Sequence, residues 1–204
     1  MFKQLSTALK EKMELLELVQ EDGNQYSWAV KKRIWASVDL SSGQRNLFSS
    51  IGIGARNADV IVRENASLTL HNALRWNGQF LFLTSLVVGE YHDRLELKAA
   101  LVTPTNCIAT WTPKDAKDTL NRPIEGTPEI VTFPGVLTEK YRGNEPEDVY
   151  RILTQRRVLV TPKAIRLRAG TVVQTPDGAD YTVRAVMDLD EWKNEYEIEH
   201  QEDV

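Results

Sequence analysis

One cysteine, three histidines and no apolar run approaching the roughly 20 residues that a bilayer crossing needs are what this 204-residue sequence has least of. Cys107 alone can form neither an internal disulfide nor a cysteine-based metal site, which fits a reducing cytosol. His71, His92 and His200 stand at no metal-ligand spacing from one another or from Cys107, so metal centres and histidine catalysis have no support. Positive charge is scarce too: 25 Lys and Arg against 29 Asp and Glu leave a net charge of -4. A chain whose main task is gripping phosphate backbone needs concentrated Lys and Arg, so this one is not expected to bind nucleic acid tightly. Residues 1–19 scatter Lys3, Lys10, Glu11, Lys12, Glu14 and Glu17 among apolar side chains, which removes a signal-peptide core and any expected membrane partner. Gly52-Ile53-Gly54-Ala55 lacks the third glycine and the lysine of a phosphate loop. The carboxylate pairs Glu14/Glu17 and Asp188/Asp190 are of the kind that exposed strands carry without catalysis. The expectation is a non-enzymatic chain with no catalytic residue, no metal and no cofactor.

What is present reads as β structure, twice. Hydrophobic residues at 42% and charged residues at 26% suit an ordinary folded chain. In the first half, short runs occur at Val60-Ile61-Val62, residues 67–70, residues 80–88 and residues 94–102. Asn77-Gly78 interrupts them with the strongest short hairpin signal, because both types tolerate the positive φ of a type I′ turn. The order recurs at Val158-Leu159-Val160, residues 165–168, Thr171-Val172-Val173, Asp177-Gly178, residues 181–186 and residues 195–199. Gly78, Leu81, Leu83 and Leu86 fall opposite Gly178, Tyr181, Val183 and Val186 at a constant offset of 100, and Arg-Leu-Glu-Leu from Arg94 falls opposite Glu-Tyr-Glu-Ile from Glu195. Upstream, Arg33-Ile34-Trp35-Ala36-Ser37-Val38 and Val131-Thr132-Phe133-Pro134-Gly135-Val136 each lead into a long excursion before the next strand. This is the pattern of an internal duplication. The competing reading is that any two amphipathic hairpins look alike. Pro104, Pro113, Pro123 and Pro128 punctuate the stretch before Val131, so the boundary is expected near Thr103, with units at residues 1–103 and 104–204. The fold class is all-β: two related small antiparallel barrel-like units in tandem, with long loops and little helix.

The N-terminal run is ambiguous. Met13, Leu16 and Val19 would share a helical face, yet Glu21-Asp22-Gly23-Asn24 is a turn sequence and residues 26–40 suit a strand. Strand is the expectation for residues 12–19, with a helix placed at residues 2–10. Residues 40–58 form a long loop in which Ser41, Gly43, Ser49, Gly52 and Gly54 keep the backbone adaptable while Leu47, Phe48 and Ile51 offer anchors. The matching excursion, residues 141–155, is more charged and contains Glu145-Pro146-Glu147-Asp148, a helix-start pattern. Cys107, among Ile108 and Ala109, reads as a buried structural thiol. Trp28, Trp35, Trp76, Trp111 and Trp192 are too widely spread for a stacking platform and read as core and interface residues.

The order Lys12-Met13-Glu14-Leu15-Leu16, Tyr26-Ser27-Trp28, Arg33-Ile34-Trp35-Ala36, Ser42-Gly43-Gln44-Arg45, Val60-Ile61-Val62-Arg63, Trp76-Asn77-Gly78-Gln79 and Leu83-Thr84-Ser85-Leu86 resembles the head-tail joining (head-closure or head-completion) proteins of tailed bacteriophages over residues 9–102. That resemblance implies a small antiparallel β barrel that self-associates into a ring in the virion neck, after synthesis in the host cytoplasm. The ring would sit between a portal or adaptor protein and a tail terminator or tail tube protein, retain packaged DNA, and let DNA pass on ejection without sequence-specific binding. Family members are usually a single unit, so residues 103–204 are an addition and read as a diverged second copy. Arg45, Leu47, Phe48, Ile51 and Arg56 are the expected inter-subunit or channel-loop residues. Asp188, Asp190 and Glu191, in the most acidic part of the chain, form a candidate acidic channel face, since a weakly repulsive lining lets DNA slide. The plainer alternative is that these acids guard an edge strand against aggregation. Two other functional classes stay open: a β-barrel module binding nucleic acid or carbohydrate, and a hydrolase whose site the sequence hides.

Overall fold

The computed structural model describes residues 9–21, 23–40, 56–113, 116–117, 123–124, 126–139 and 154–201. Fourteen strands occur there and no helix. The first unit is built from β1 (Glu11–Glu21), β2 (Gln25–Leu40), β3 (Arg56–Arg63), β4 (Ala73–Trp76), β5 (Gln79–Val88) and β6 (Arg94–Val102). Strand order β1-β4-β5-β6-β3-β2, with β1 also paired to β2, closes these six strands into a ring. Closure gives every strand a neighbour on both sides and turns alternate side chains into one interior. The period of two is visible in Val60 and Val62, Leu81 and Leu83, and Leu95, Leu97 and Ala99, all at most 4% exposed and joined in one core with Met13, Leu15 and Leu74.

The second unit contains β7 (Thr105–Trp111), the short hairpin β8 (Ala116–Lys117) and β9 (Pro123–Ile124), β10 (Glu129–Glu139), β11 (Thr154–Pro162), β12 (Val172–Gln174), β13 (Asp180–Met187) and β14 (Lys193–Gln201). Its ring runs β7-β12-β13-β14-β11-β10 and closes through β10 and β7. Replacing β1 to β6 by β7, β10, β11, β12, β13 and β14 in turn converts one ring order into the other. The backbones share an irregularity as well. A β-bulge interrupts the β5–β6 register between Leu83 and Ser85, and another interrupts β13–β14 between Val183 and Ala185, 100 positions on. A bulge is one extra residue at one place in a ladder, so its recurrence goes beyond what two amphipathic hairpins would share.

The chain forms two compact units, Met1–Val19 with Trp28–Pro104, and Gln20–Ser27 with Thr105–Val204. The tip of the β1–β2 hairpin is thus part of the second unit. There Gln25 lies parallel to Thr132 of β10, and the Thr132 amide donates to the Asn24 carbonyl at 3.1 Å. Positive φ at Gly23 (78°) and Asn24 (58°) forms that tip.

The two cores differ in volume distribution at equivalent places. Leu81 and Leu97 of the first ring are matched by Tyr181 and Tyr196, whereas Leu15 and Ala36 are matched by Ala109 and Gly135. Larger residues on β13 and β14 go with smaller ones on β7 and β10, so both interiors are filled by different distributions of volume. Burial of Tyr196 requires partners for its hydroxyl: the Leu167 amide donates to it at 3.0 Å and it donates to the Ile165 carbonyl at 2.8 Å.

Several sequence expectations are corrected. Residues 67–70 and 165–168 are not strands. Both are turn segments that drop apolar side chains, Leu68 in one and Ile165 and Leu167 in the other, onto the barrel interior. Asn65 and Asn72 hold the first through bonds to Ser67 and Thr69, and Asn194 and Tyr196 hold the second. Local side-chain bonds to the backbone displaced the ladder there. The real fourth strand, β4, was hidden next to the Asn77-Gly78 turn. Strand β7 was hidden within the stretch expected to be a proline-punctuated connection. The match between residues 94–97 and 195–198 is two residues out of register. Leu86 pairs with Leu97 and Val186 with Tyr196, so Leu97 corresponds to Tyr196 rather than to Ile198. A two-residue slip preserves strand face and alternation, which is why sequence could not expose it.

The turns Asn77-Gly78 and Asp177-Gly178 also differ. Asn77 (φ 49°) and Gly78 (φ 76°) form the expected two-residue turn, whereas in the second only Gly178 is left-handed (φ 83°). There Thr175 bonds Asp177 and the Ala179 carbonyl across a longer loop. The strand expected at residues 12–19 is β1. The helix placed at residues 2–10 falls mainly on residues 2–8, outside the described residues, and Leu9 and Lys10 belong to no element.

Candidate functional site

Closed rings leave function to connections and outward faces. In the first unit, the end of β5 exposes Val87 (57%) and Val88 (43%), and the β5–β6 connection exposes Tyr91 (64%). Gly89 pinches its base: its amide donates to the Arg94 carbonyl at 2.9 Å, and a Cβ there would meet Arg94 Cγ at 2.7 Å. At the equivalent place in the second unit, the end of β13 exposes Val186 and Met187, and the β13–β14 connection exposes Leu189 at 98%. Scattered single apolar residues need no explanation, but exposed apolar residues that recur at equivalent strand ends of both units mark candidate assembly surfaces.

Asp188, Asp190 and Glu191 lie in that second tip. Asp188 and Glu191 are exposed and Asp190 is half-buried. Lys163 Nζ donates to the carbonyls of Asp188 and Asp190, each at 2.6 Å. Lys193, its side chain only 4% exposed, pairs with the Asp190 carboxylate at 3.2 Å and with Glu195. The tip is therefore less negative than its residue list suggests. Glu199 pairs with Arg184 at 3.2 Å and lies 3.8 Å from Arg156. The edge-strand alternative fails, because β14 is paired on both sides, to β11 and to β13.

Arg56 opens β3 opposite Leu101 of β6 and is exposed. Arg45, Leu47, Phe48 and Ile51 lie outside the described residues, as do the glycines at 52 and 54 and the residues at 145–148. The expected loop site is therefore represented in the described structure by its exit alone.

A groove in the first unit had no sequence signal. Strand β3 pairs with β2 only over Ala36–Leu40, although β3 itself runs on to Arg63 against β6. Lys32, Ile34 and Trp35 of β2 face Val62, Arg63 and Asn65 across the gap. Lys32 Nζ donates to Asn65 Oδ1 at 2.7 Å. Trp35 is 52% exposed, with Lys12 Nζ 5.2 Å from its ring centroid, a cation–π contact. Val30 is 46% exposed on the same strand. Period two puts Trp35 on the barrel's outer side because Ala36, its neighbour, is fully buried.

Titration behaviour follows packing. Hydrogen bonding from Arg75 is the largest influence on Glu14 and, with Arg33, holds its carboxyl below the ordinary value despite some desolvation. Burial pushes the Cys107 thiol up to about 11. Cys107 is the fully buried residue the sequence suggested, packed beside Gly135 and Phe133. Among the described residues no group of three His, Cys, Asp or Glu side chains is arranged to hold a metal ion. His71 and His92 are exposed and far apart in role: the latter takes positive φ (53°) in the β5–β6 tip.

No family model matches the sequence. Nor does any curated protein. Among solved structures, the chain is similar to protein SF1141 from Shigella flexneri 2a, at 15% identity and TM-score 0.39 over 48% of this chain and 96% of that one. It is also similar to a chain from the virion of a native gene transfer agent particle, at 18% identity and TM-score 0.38 over 45% of this chain and 93% of that one. Likenesses of this size carry no argument about fold or function.

Proposed function

We propose that this chain is a non-enzymatic structural protein of the tailed-phage virion neck. In this reading it self-associates into a ring between the portal or adaptor and the tail terminator or tube. The ring closes the head, retains packaged DNA and lets it pass on ejection. The observation that carries the reading is the doubled presentation of apolar side chains, Val87, Val88 and Tyr91 at one tip and Val186, Met187 and Leu189 at its equivalent, on two closed rings of like strand order. A ring subunit needs rigid units with outward anchors for neighbours on more than one side, and a tandem pair of barrels supplies both. The order of residues over 9–102 that resembles head-tail joining proteins supports the same role. Asp188 and Glu191 would face the passing DNA, where weak repulsion favours sliding over binding. No cofactor, metal or membrane enters this function.

Light scattering and electron microscopy test it, first on the purified chain and then on mixtures with portal, adaptor, tail-terminator and tail-tube proteins. Rings or stoichiometric complexes are expected. A chain that stays monomeric in every mixture contradicts the proposal, and salt-sensitive retention of DNA by that monomer would favour a nucleic-acid-binding module instead.

A further inference from the structure

Both barrels leave part of one strand uncovered at equivalent positions, and among the described residues only one of the two openings is filled. In the second unit, β11 pairs with β10 only from Val136 onward, while β7 covers the other edge of β10. The hairpin tip Gln20–Ser27 fills that opening: Gln25 lies parallel to Thr132, and the Thr132 amide donates to the Asn24 carbonyl. Ladder registers align Val60 with Leu159 and Val38 with Leu137, hence Arg33 of β2 with Thr132 of β10. In the first unit, β3 reaches β2 only from Ala36 onward. The contacts Lys31–Glu17, Arg33–Glu14 and Lys12–Trp35 put β1 beside one edge of β2 ahead of that point. Among the described residues no strand pairs with the opposite edge around Arg33.

This opening is a groove with apolar walls and an excess of positive charge. Leu9, Ile34, Trp35 and Val62 supply the apolar surface, and Lys32, Arg63, Glu64 and Asn65 the polar one. With Lys12 over the Trp35 ring, three cations stand against the single carboxylate of Glu64. Lys32 is held by the neutral Asn65 Oδ1 at 2.7 Å. Arg63 stands opposite Arg94 in the β3–β6 ladder, where like charges destabilise. Arg94 has Glu96 as its partner at 3.1 Å, whereas Arg63 forms no ion pair among the described residues.

We infer that this stretch of β2 is the acceptor for an extended acidic segment of a protein other than this chain, added as a strand. Strand addition gives the open backbone groups of β2 their partners, apolar side chains of the segment cover Ile34 and Trp35, and its carboxylates meet Lys32 and Arg63. A nucleic acid would match the cations but has no ladder of amides and carbonyls to set against β2. The described strands of this chain do not supply the segment either: β1 and β14, the most acidic of them, each have a strand on both sides. Ring formation by the chain is not required for this contact.

Peptide titration and hydrogen exchange on the full chain test it. A synthetic peptide alternating Glu with Val is expected to bind with salt-sensitive affinity and to slow exchange of those amides of residues 29–35 that point away from β1. The same peptide with Lys in place of Glu should bind about tenfold more weakly or worse. Arg63→Glu should weaken binding of the Glu peptide about tenfold without lowering the unfolding midpoint, because it turns an Arg–Arg pair into a Glu–Arg pair. No binding, equal binding of the two peptides, or binding that ignores Arg63→Glu overturns the inference. Protection of those amides in the free protein overturns it as well: independent of concentration, it means that the chain covers β2 itself, and growing with concentration, that a second copy does. A single-stranded oligonucleotide that protects them where the Glu peptide does not would assign the groove to nucleic acid instead. Ring formation in light scattering bears on the function proposed above and not on this groove.

Discussion

Gly135→Ala offers a test of how tightly the second barrel is filled. Gly135 lies in β10, opposite Thr105 of β7, at the position where the first barrel carries Ala36. A Cβ there would sit 2.6 Å from Leu159 Cδ1, 3.4 Å from Cys107 Sγ and 3.5 Å from Phe133 Cε2. A flexible side chain could usually swing aside, but Leu159, Cys107 and Phe133 are all 0% exposed and their neighbours are packed. Two effects oppose each other. Replacing a strand glycine by alanine recovers about 0.5–1 kcal/mol of backbone entropy. Forcing a methyl into a filled core costs about 1–3 kcal/mol. Overpacking wins, for a net loss of about 1–2 kcal/mol in urea unfolding at unchanged m-value. Leu159→Ala alone should cost about 2–5 kcal/mol through the cavity it leaves. Combined with Gly135→Ala it should cost less than the sum by about 1 kcal/mol, since the new methyl then enters vacated space. A Gly135→Ala protein as stable as the wild type, or strictly additive behaviour in the double variant, would refute the close packing described here.

Other consequences are direct. Gly78→Ala and Gly178→Ala, both at positive φ with open space around the new Cβ, should each lose about 1 kcal/mol from backbone strain alone; thermal unfolding of the double variant should show the two losses adding. Glu14 has a depressed pKa when folded, so its contribution is present above the unfolded value and disappears as pH falls through the folded one. Melting temperature measured across the acid range should therefore fall less steeply in Glu14→Gln than in the wild type. With its thiol pushed up to about 11 and fully buried, Cys107 should resist a thiol-specific reagent at pH 8 in the native protein and react stoichiometrically in urea; rapid native labelling would contradict the packing. Leu189→Asp, at a side chain 98% exposed, should leave the unfolding midpoint within about 0.5 kcal/mol of wild type while weakening assembly measured by light scattering.

Residue types and their spacing were enough to settle the all-β class and the positive-φ glycines at 78 and 178, because period-two burial and positive φ are local demands that each short segment meets by itself. Segments 67–70 and 165–168 misled for a local reason too: a buried Leu or Ile alternating with polar residues reads as strand until asparagine and tyrosine side chains take the backbone's hydrogen bonds. Closure of each ring, the two-residue shift that pairs Leu97 with Tyr196 as equivalents, and the half-open stretch of β2 beside Trp35 arise only in three dimensions. Ladder register and strand coverage depend on partners distant in the chain, and a slip of two residues or a β2–β3 ladder that stops at the Ala36–Val62 pair leaves the local pattern untouched.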